Sequence, residues 1–208
     1  MNPEQVLKNL LHEFRHESDG EAVRQLAEYL RLLQKWNSRM NLTASSEWGS
    51  LRPLFAETFW AAGLYPGSER SHLDIGSGAG FPALPMKILR PGMRLEMVES
   101  RTRRALFLET VVRELGLPNV RVYNARIEDL LTERNPPGGW TVVSWKGLRL
   151  SRSQFSLLRT CVLSQAEFWI FHGKKLPLAD PHASLAGLKL VKTSLCPSSG
   201  NRYLSIYQ

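Results

Sequence analysis

Apolar residues recur at helical spacing through the first third of the chain. Val6, Leu7, Leu10, Leu11 and Phe14 share one face over residues 3–15. Ser18-Asp19-Gly20 interrupts the pattern. A second helix is predicted from about Glu21 to Trp36, with Val23, Leu26, Ala27, Leu30 and Leu33 inward, ending near Asn37. Asn41-Leu42-Thr43 and a Ser-rich turn follow, then a helical pattern over 51–63 and a loop over 63–71. From His72 the pattern changes. Short apolar runs at 72–75, 94–98, 120–123, 140–145 and 167–171 read as strands, separated by helical patterns at 82–89, 102–115 and 153–163. Arg90-Pro91-Gly92 stops the first of these helices, Gly116 caps the second, and a Pro-Pro-Gly-Gly turn at 136–139 precedes the fourth strand. Residues 187–193 and 202–207 read as a closing antiparallel hairpin. Strands alternating with helices predict an α/β fold, a mostly parallel sheet with helices on both faces. The division is a helical N-terminal extension over 1–66, packed on a core domain over 67–208.

The junction between the first strand and its helix carries the chemistry. It reads His72-Leu73-Asp74-Ile75-Gly76-Ser77-Gly78-Ala79-Gly80-Phe81-Pro82. Glycines let the backbone turn sharply and approach a ligand where a Cβ would collide. The dinucleotide fingerprint is Gly-x-Gly-x-x-Gly. Here the third glycine arrives one residue early, and Phe81 occupies the dinucleotide glycine's place. No Gly-x-x-x-x-Gly-Lys-Ser/Thr run is present, which excludes a P-loop. Nineteen residues after Gly80, the second strand ends in Glu99. A carboxylate at that tip can accept both hydroxyls of a ribose. Asp74, the glycine turn and Glu99 together predict a nucleoside-binding site.

Charge adds a possible partner. The net charge is +8, but residues 1–70 carry eight Lys/Arg against nine Asp/Glu, and the rest nineteen against ten. From Ser144 onward nine bases, Lys174 and Lys175 among them, face only Glu167 and Asp180. Such asymmetry suits a polyanion and equally a solubilising basic surface. Cys161 and Cys196 have no metal-ligand or CxxC spacing, and the five histidines are scattered, so no metal site is expected. The start of the chain lacks the basic and apolar blocks of a secretion signal, and no apolar run is long enough to span a bilayer. A cytoplasmic, monomeric protein without membrane contact is expected.

The order strand, Asp-x-Gly-x-Gly-x-Gly, helix, strand, acid resembles motifs I and II of class I (Rossmann-like) S-adenosylmethionine-dependent methyltransferases. More specifically, Leu33-Gln34-Lys35-Trp36-Asn37 followed by Asn41-Leu42-Thr43 resembles the Trp-Asn … Asn-Leu-Thr signature of the RsmG (GidB) family. The run Asp74 to Pro82, Glu99-Ser100 with Arg103-Arg104-Ala105-Leu106-Phe107-Leu108, and Ala125-Arg126-Ile127-Glu128-Asp129 are similar to the same family, over about residues 20–172. The family transfers a methyl group from S-adenosylmethionine to N7 of a guanine in 16S ribosomal RNA. The resemblance therefore implies S-adenosyl-L-methionine as cofactor and 16S ribosomal RNA or the 30S particle as partner. It implies that Asp74, Gly76, Gly78, Gly80 and Phe81 border the cofactor's methionine part, that Glu99 takes the ribose hydroxyls, and that Ile127 and Glu128 flank the adenine. Phe81 could instead be plain core, and Glu128 a cap or solvated charge.

The chain departs from the family at three places, one of them a tail that is shortened and poorly matched from about Gly173. The arginine of the Ser-Arg-Ala run after the fourth strand is replaced in Val143-Ser144-Trp145-Lys146-Gly147. Lys146 could supply the charge without arginine's planar fork. Trp145 could stack on the adenine or a base, or be an ordinary core residue. The family's His-x-x-Asp-Ser becomes Leu54-Phe55-Ala56-Glu57-Thr58. Lys146 and Asn41 are the implied catalytic residues and Trp145 a further cofactor contact. Two other readings stay open: a relative acting on another RNA, a protein or a small molecule, and a cofactor-binding RNA or assembly module without turnover.

Overall fold

The computed structural model describes residues 2–17, 20–67, 69–133, 139–173, 187–197 and 201–208. Ser18, Asp19, most of the Pro-Pro-Gly-Gly turn, Lys174 and Lys175 lie outside the described residues. The chain runs α1 (Pro3–Glu13), α2 (Gly20–Met40), α3 (Trp48–Leu64), β1 (Ser71–Ile75), α4 (Ala83–Leu89), β2 (Arg94–Val98), α5 (Thr102–Glu114) and β3 (Val120–Tyr123). It continues through α6 (Ile127–Glu133), β4 (Trp140–Lys146), α7 (Arg152–Thr160), β5 (Val162–His172), β6 (Leu190–Leu195) and β7 (Tyr203–Tyr207).

These strands form one seven-stranded sheet in the order β3-β2-β1-β4-β5-β7-β6. Strands β1 to β5 pair in parallel, and β7 runs antiparallel to both neighbours. The order reverses between β1 and β4. In an open α/β sheet a ligand crevice forms at such a point, beyond the carboxyl ends of the strands. Here those ends are Ile75, which leads into the glycine turn, and Lys146.

The strand period of two sorts the central residues onto opposite faces. Leu73, Ile75, Val143, Trp145 and Phe168 enter one cluster with Ile127 and Leu130 of α6 and Phe155 and Leu158 of α7. The other cluster joins Leu95, Met97, Val142, Trp169 and Phe171 to α1, α2, α3, α4 and α5. The N-terminal helices thus share a core with the sheet. Tyr29, Phe55, Phe59 and Leu26 are each fully buried there, and a side chain of this kind contributes about 1.5–3 kcal/mol by leaving water. On the same side, the Lys87 ammonium donates to the carbonyls of Pro91 and Met93, both at 2.6 Å, and pins the α4–β2 turn.

Several boundaries differ from the periodicity reading, for local reasons. Helix α2 continues to Met40, because Asn37 and Ser38 interrupt no backbone bonding. It ends where Asn41 takes a left-handed φ of 49° and the Asn37 side chain accepts from Thr43 N at 2.8 Å. Helix α7 stops at Thr160 instead of 163, and β5 starts at Val162 because Val162 pairs with Trp140, ahead of a register shift that leaves extra residues in β5 before Glu167 pairs with Val142. Helix α6 occupies 127–133, a stretch the periodicity left unassigned. The last hairpin pairs 190–195 with 203–207.

Candidate active site

After β1 the chain turns through Gly76, Gly78 and Gly80, at φ of 71°, 58° and 92°. These are left-handed conformations that residues with a Cβ rarely hold. Gly76 N donates to Val98 O at 2.8 Å, which ties the turn to the end of β2, and Gly80 N donates to Ser77 O at 2.7 Å within the turn. A Cβ on Gly80 would come within 2.5 Å of Leu84 and 3.2 Å of Leu108, so this glycine lets the turn close on α4 and α5. A Cβ on Gly76 would run into the side chain of Leu148, which lies over the turn from the segment after β4. A Cβ on Gly78 would meet only ordinary van der Waals contacts, the Arg104 guanidinium at 3.6 Å and Gly76 O at 3.8 Å.

The N-terminal helices hold this turn from behind. The Tyr29 hydroxyl donates to Ala79 O at 2.7 Å. The Phe81 ring meets Phe55 and Tyr29 edge-on, at centroid distances of 5.0 and 5.4 Å. The Phe81–Pro82 peptide is cis, and Pro82 is the N-cap of α4. Phe81 thus packs against α2 and α3 and is buried at the turn.

Glu99 stands beside the turn as its spacing requires. It is 5% exposed, and its two oxygens accept from Gly78 N at 2.9 Å and Arg101 N at 2.8 Å. A carboxylate oxygen has two acceptor directions, so both keep capacity for a further donor. Ile127 is buried at the start of α6 in the second cluster. Glu128 is half-buried and accepts from the Gln154 side chain at 2.5 Å, which links α6 to the first turn of α7. Gln154 in turn forms a capping box with Ser151.

Asp74 lies at the tip of β1, 2% exposed. Its Oδ1 accepts from Ser144 Oγ at 2.5 Å, and Ser144 Oγ lies 2.7 Å from His72 Nε2. With the serine proton directed to Asp74, His72 is the Nε2–H tautomer and donates to Ser144. Burial holds the His72 imidazolium down to about 3, so the ring is neutral, and it stacks on Tyr65 at 5.6 Å. Burial pushes the Asp74 carboxyl up to about 6 against the pull of the Ser144 hydroxyl. Asp74 Oδ2 and His72 Nδ1 are buried with no hydrogen-bond partner among the described residues. Asp74 and Ser144 are register partners, and His72 lies on the same face, so strand alternation could have grouped them once β1 and β4 were known to be neighbours.

Trp145 and Lys146 point to opposite faces of β4. Trp145 is 4% exposed and packs edge-on against Phe155 and Phe168, at 5.9 and 6.4 Å. The Lys146 ammonium is bonded to the Glu57 carboxylate, which is itself buried in α3. Arg202, just before β7, approaches the same carboxylate at 3.5 Å. Burial pulls the Lys146 ammonium below the ordinary lysine range, and Glu57 opposes that shift. Sequence reasoning saw Leu54 to Thr58 only as a degraded signature. Its carboxylate is what anchors Lys146. Asn41 is exposed at the end of α2. Among the described residues no group of His, Cys, Asp and Glu could hold a metal.

This set fits the nucleoside cofactor that the motifs imply. It offers a buried acceptor on Asp74 without a partner among the described residues, a glycine turn with left-handed backbone at Gly78, and an acid at the second strand tip.

Residues 22–177 match the family model described as GidB, rRNA small subunit methyltransferase G. The chain belongs to this family. One relative is the ribosomal RNA small subunit methyltransferase G of Lactococcus lactis subsp. lactis (strain IL1403), 35% identical over 161 residues. That match takes in 73% of the present chain and 65% of the relative, so the chain spans a little under two thirds of the relative's length. The fold is similar to that of the mitomycin 7-O-methyltransferase MmcR, with a TM-score of 0.61 and 16% identity over 100% of this chain and 67% of that one. It is also similar to an MtNAS mutant in complex with S-adenosylmethionine, with a TM-score of 0.60 and 16% identity over 98% and 96%. These likenesses establish a class I methyltransferase fold. No helix among the described residues is long and apolar enough to cross a membrane.

Proposed function

We propose that this chain binds S-adenosyl-L-methionine and methylates N7 of a guanine in 16S ribosomal RNA, presented in the 30S particle. The observation that carries the reading is the Glu99 carboxylate bound to Gly78 N at the switch point of the sheet, in a chain of the GidB family. Glu99 would hold the ribose hydroxyls while fixing the turn. Asp74 Oδ2 would accept from the ammonium of the methionine part. Ile127 and Glu128 would border the adenine, with Trp145 supporting that wall from below. The cofactor would supply a methyl group on a sulfonium centre. Guanine N7 carries a lone pair and no proton, so no general base is asked of the protein. Its task is alignment and tolerance of a developing positive ring. Lys146, oriented by Glu57, and Asn41 are the polar groups proposed to position the guanine.

A second reading is a cofactor-binding RNA module without turnover. The Lys146–Glu57 ion pair and the buried Trp145 favour it, since Lys146 is engaged by Glu57 and the side chain in the place of the family's arginine is an uncharged core residue. Methyl transfer from labelled cofactor to ribosomal RNA and to 30S particles, with the product nucleoside identified, tests both. N7-methylguanosine supports the first reading. Cofactor and RNA binding with no labelled product supports the second.

A further inference from the structure

A second surface feature lies outside the cofactor crevice, between α2 and α5. Lys35, Trp36, Arg39 and Met40 of α2 and Arg103 and Leu106 of α5 line a groove of about 320 Å³. Its floor is apolar. Leu106 is 50% exposed, and the Trp36 indole meets the buried Phe107 ring edge-on at 5.7 Å, which fixes its orientation. Its rim is cationic. Lys35, Arg39 and Arg103 are exposed, and none makes an ion pair with a described residue. Among the described residues no acidic side chain lines it. This is unexpected in a part of the chain whose first 70 residues hold more acids than bases.

The groove adjoins the cofactor turn through two connections. Arg103 and Arg104 are consecutive in the first turn of α5, and Arg104 reaches Gly78 while Arg103 lines the groove. Helix α2 supplies both Tyr29, bonded to the turn at Ala79, and the groove's other wall. An aromatic and aliphatic floor ringed by guanidinium and ammonium groups suits a single-stranded nucleic acid. A base stacks on the floor and flanking phosphates meet the rim. The volume accommodates one unstacked base.

We infer that this groove is a docking site for a single-stranded segment of the substrate ribosomal RNA, next to the nucleotide that enters the crevice. The inference rests on the proposed RNA methyltransferase reading. Exposed phosphate contacts act through counterion release, about 0.7 in log–log slope per phosphate on single strands. Replacing Lys35, Arg39 and Arg103 together by Ala should therefore reduce the salt slope of RNA binding by about 2. Affinity for a 16S ribosomal RNA transcript should fall at least about tenfold at low salt. Trp36→Leu keeps apolar contact with Phe107 but removes the stacking surface, and should weaken binding with no change in salt slope.

The experiment measures filter binding of the 16S transcript and of 30S particles across salt, alongside calorimetric cofactor binding. Unchanged cofactor affinity with weaker RNA binding and a shallower slope in the triple variant supports the groove. Parent-like RNA affinity and slope in the triple variant overturns it, even if the parent methylates RNA. Loss confined to 30S particles, with the bare transcript bound normally, assigns the groove to a protein component and overturns it too. A parent that binds cofactor but neither binds nor methylates ribosomal RNA removes the functional reading itself, and the groove with it.

Discussion

The Tyr29 hydroxyl donates to the carbonyl oxygen of Ala79 at 2.7 Å, in the fully buried interior between α2 and the glycine turn. This bond joins the helical extension to the element that would hold the cofactor. Tyr29→Phe keeps the ring contacts with Phe55 and Phe81 and leaves the carbonyl without a donor. The expected cost is about 1–3 kcal/mol of stability. For a chain of this size each kcal/mol lowers the melting temperature by about 2–4 °C. Calorimetry should also show weaker cofactor binding than in a surface variant of equal stability loss. A Tyr29→Phe protein with parent cofactor affinity would mean the turn is held without its helical backing.

Glu99→Ala should weaken S-adenosylmethionine or S-adenosylhomocysteine binding by about 1.5–3 kcal/mol, the range for hydrogen bonds to a charged group. The structure adds a second consequence. The substitution also removes the acceptor for Gly78 N and Arg101 N, so amide hydrogen exchange at both should speed up even without ligand. Unchanged affinity in titration calorimetry would place the ribose elsewhere.

Asp74 and His72 give opposite pH dependences. The Asp74 carboxyl is raised from 3.8 to about 6, so the folded state takes up its proton first as pH falls. Its ionisation therefore opposes folding above that range, by about 3 kcal/mol at neutral pH, and the opposition disappears as pH falls to about 4. His72 is lowered from 6.5 to about 3, so the unfolded state takes up that proton first. Stability from the neutral ring is complete above 6.5 and is lost as pH falls from there toward 3. Asp74→Asn should raise the melting temperature at pH 8, with the gain shrinking to nothing near pH 4. Between 6.5 and 4 it should lose stability more steeply than the parent, because the offsetting carboxyl is gone. Melting curves of both proteins across that range check this. An equal gain at every pH would show that Asp74 is ionised normally.

The glycine turn and Glu99 were legible because their chemistry is local. Three glycines and an acid at fixed spacing specify a backbone path whatever surrounds them. The sheet was legible from the alternation of apolar runs, although its ends were not. Helix α7 was overextended because Val162 and Leu163 fit a helical face as well as a strand, and pairing with Trp140 decides the matter. The Asp74–Ser144–His72 chain and the Glu57–Lys146–Arg202 cluster were invisible. Each joins residues 70 to 145 positions apart, and no periodicity reports which strands become neighbours. That the Phe81 ring packs on Tyr29 of α2 and Phe55 of α3 was equally invisible, because these partners lie 52 and 26 positions away.

Glu57 is buried between two cations, so removing its charge leaves Lys146 and Arg202 facing each other without compensation. Breaking a buried pair from one side costs about 3–5 kcal/mol. Lys146 and Arg202 keep partial solvent contact, which lowers the expectation for Glu57→Gln to about 2–3 kcal/mol. Chemical denaturation measures it. Glu57→Asp should recover part of the loss. A Glu57→Gln protein as stable as the parent would show that the cluster is solvated.

Trp145 and Lys146 are adjacent in sequence and separated by the sheet, so substitutions at the two should fail in different ways. The Trp145 ring fills the cluster with Phe155 and Phe168, and an arginine there would bring a charge into an aromatic wall. Trp145→Arg should therefore destabilise the fold by several kcal/mol, as an unpaired buried charge does. It should not restore the arginine of the family signature. Trp145→Phe should be milder, a cavity effect, with the methyl-transfer rate little changed. Lys146→Ala removes a positioning charge on the other face. Its effect should fall on turnover more than on cofactor affinity, because an orienting contact matters most in the transition state. Single-turnover transfer to 30S particles, run beside cofactor titration, separates the two outcomes. If Trp145→Arg folds stably and outpaces the parent, the side chain at 145 reaches the crevice after all, and the packing against α7 must rearrange to admit it.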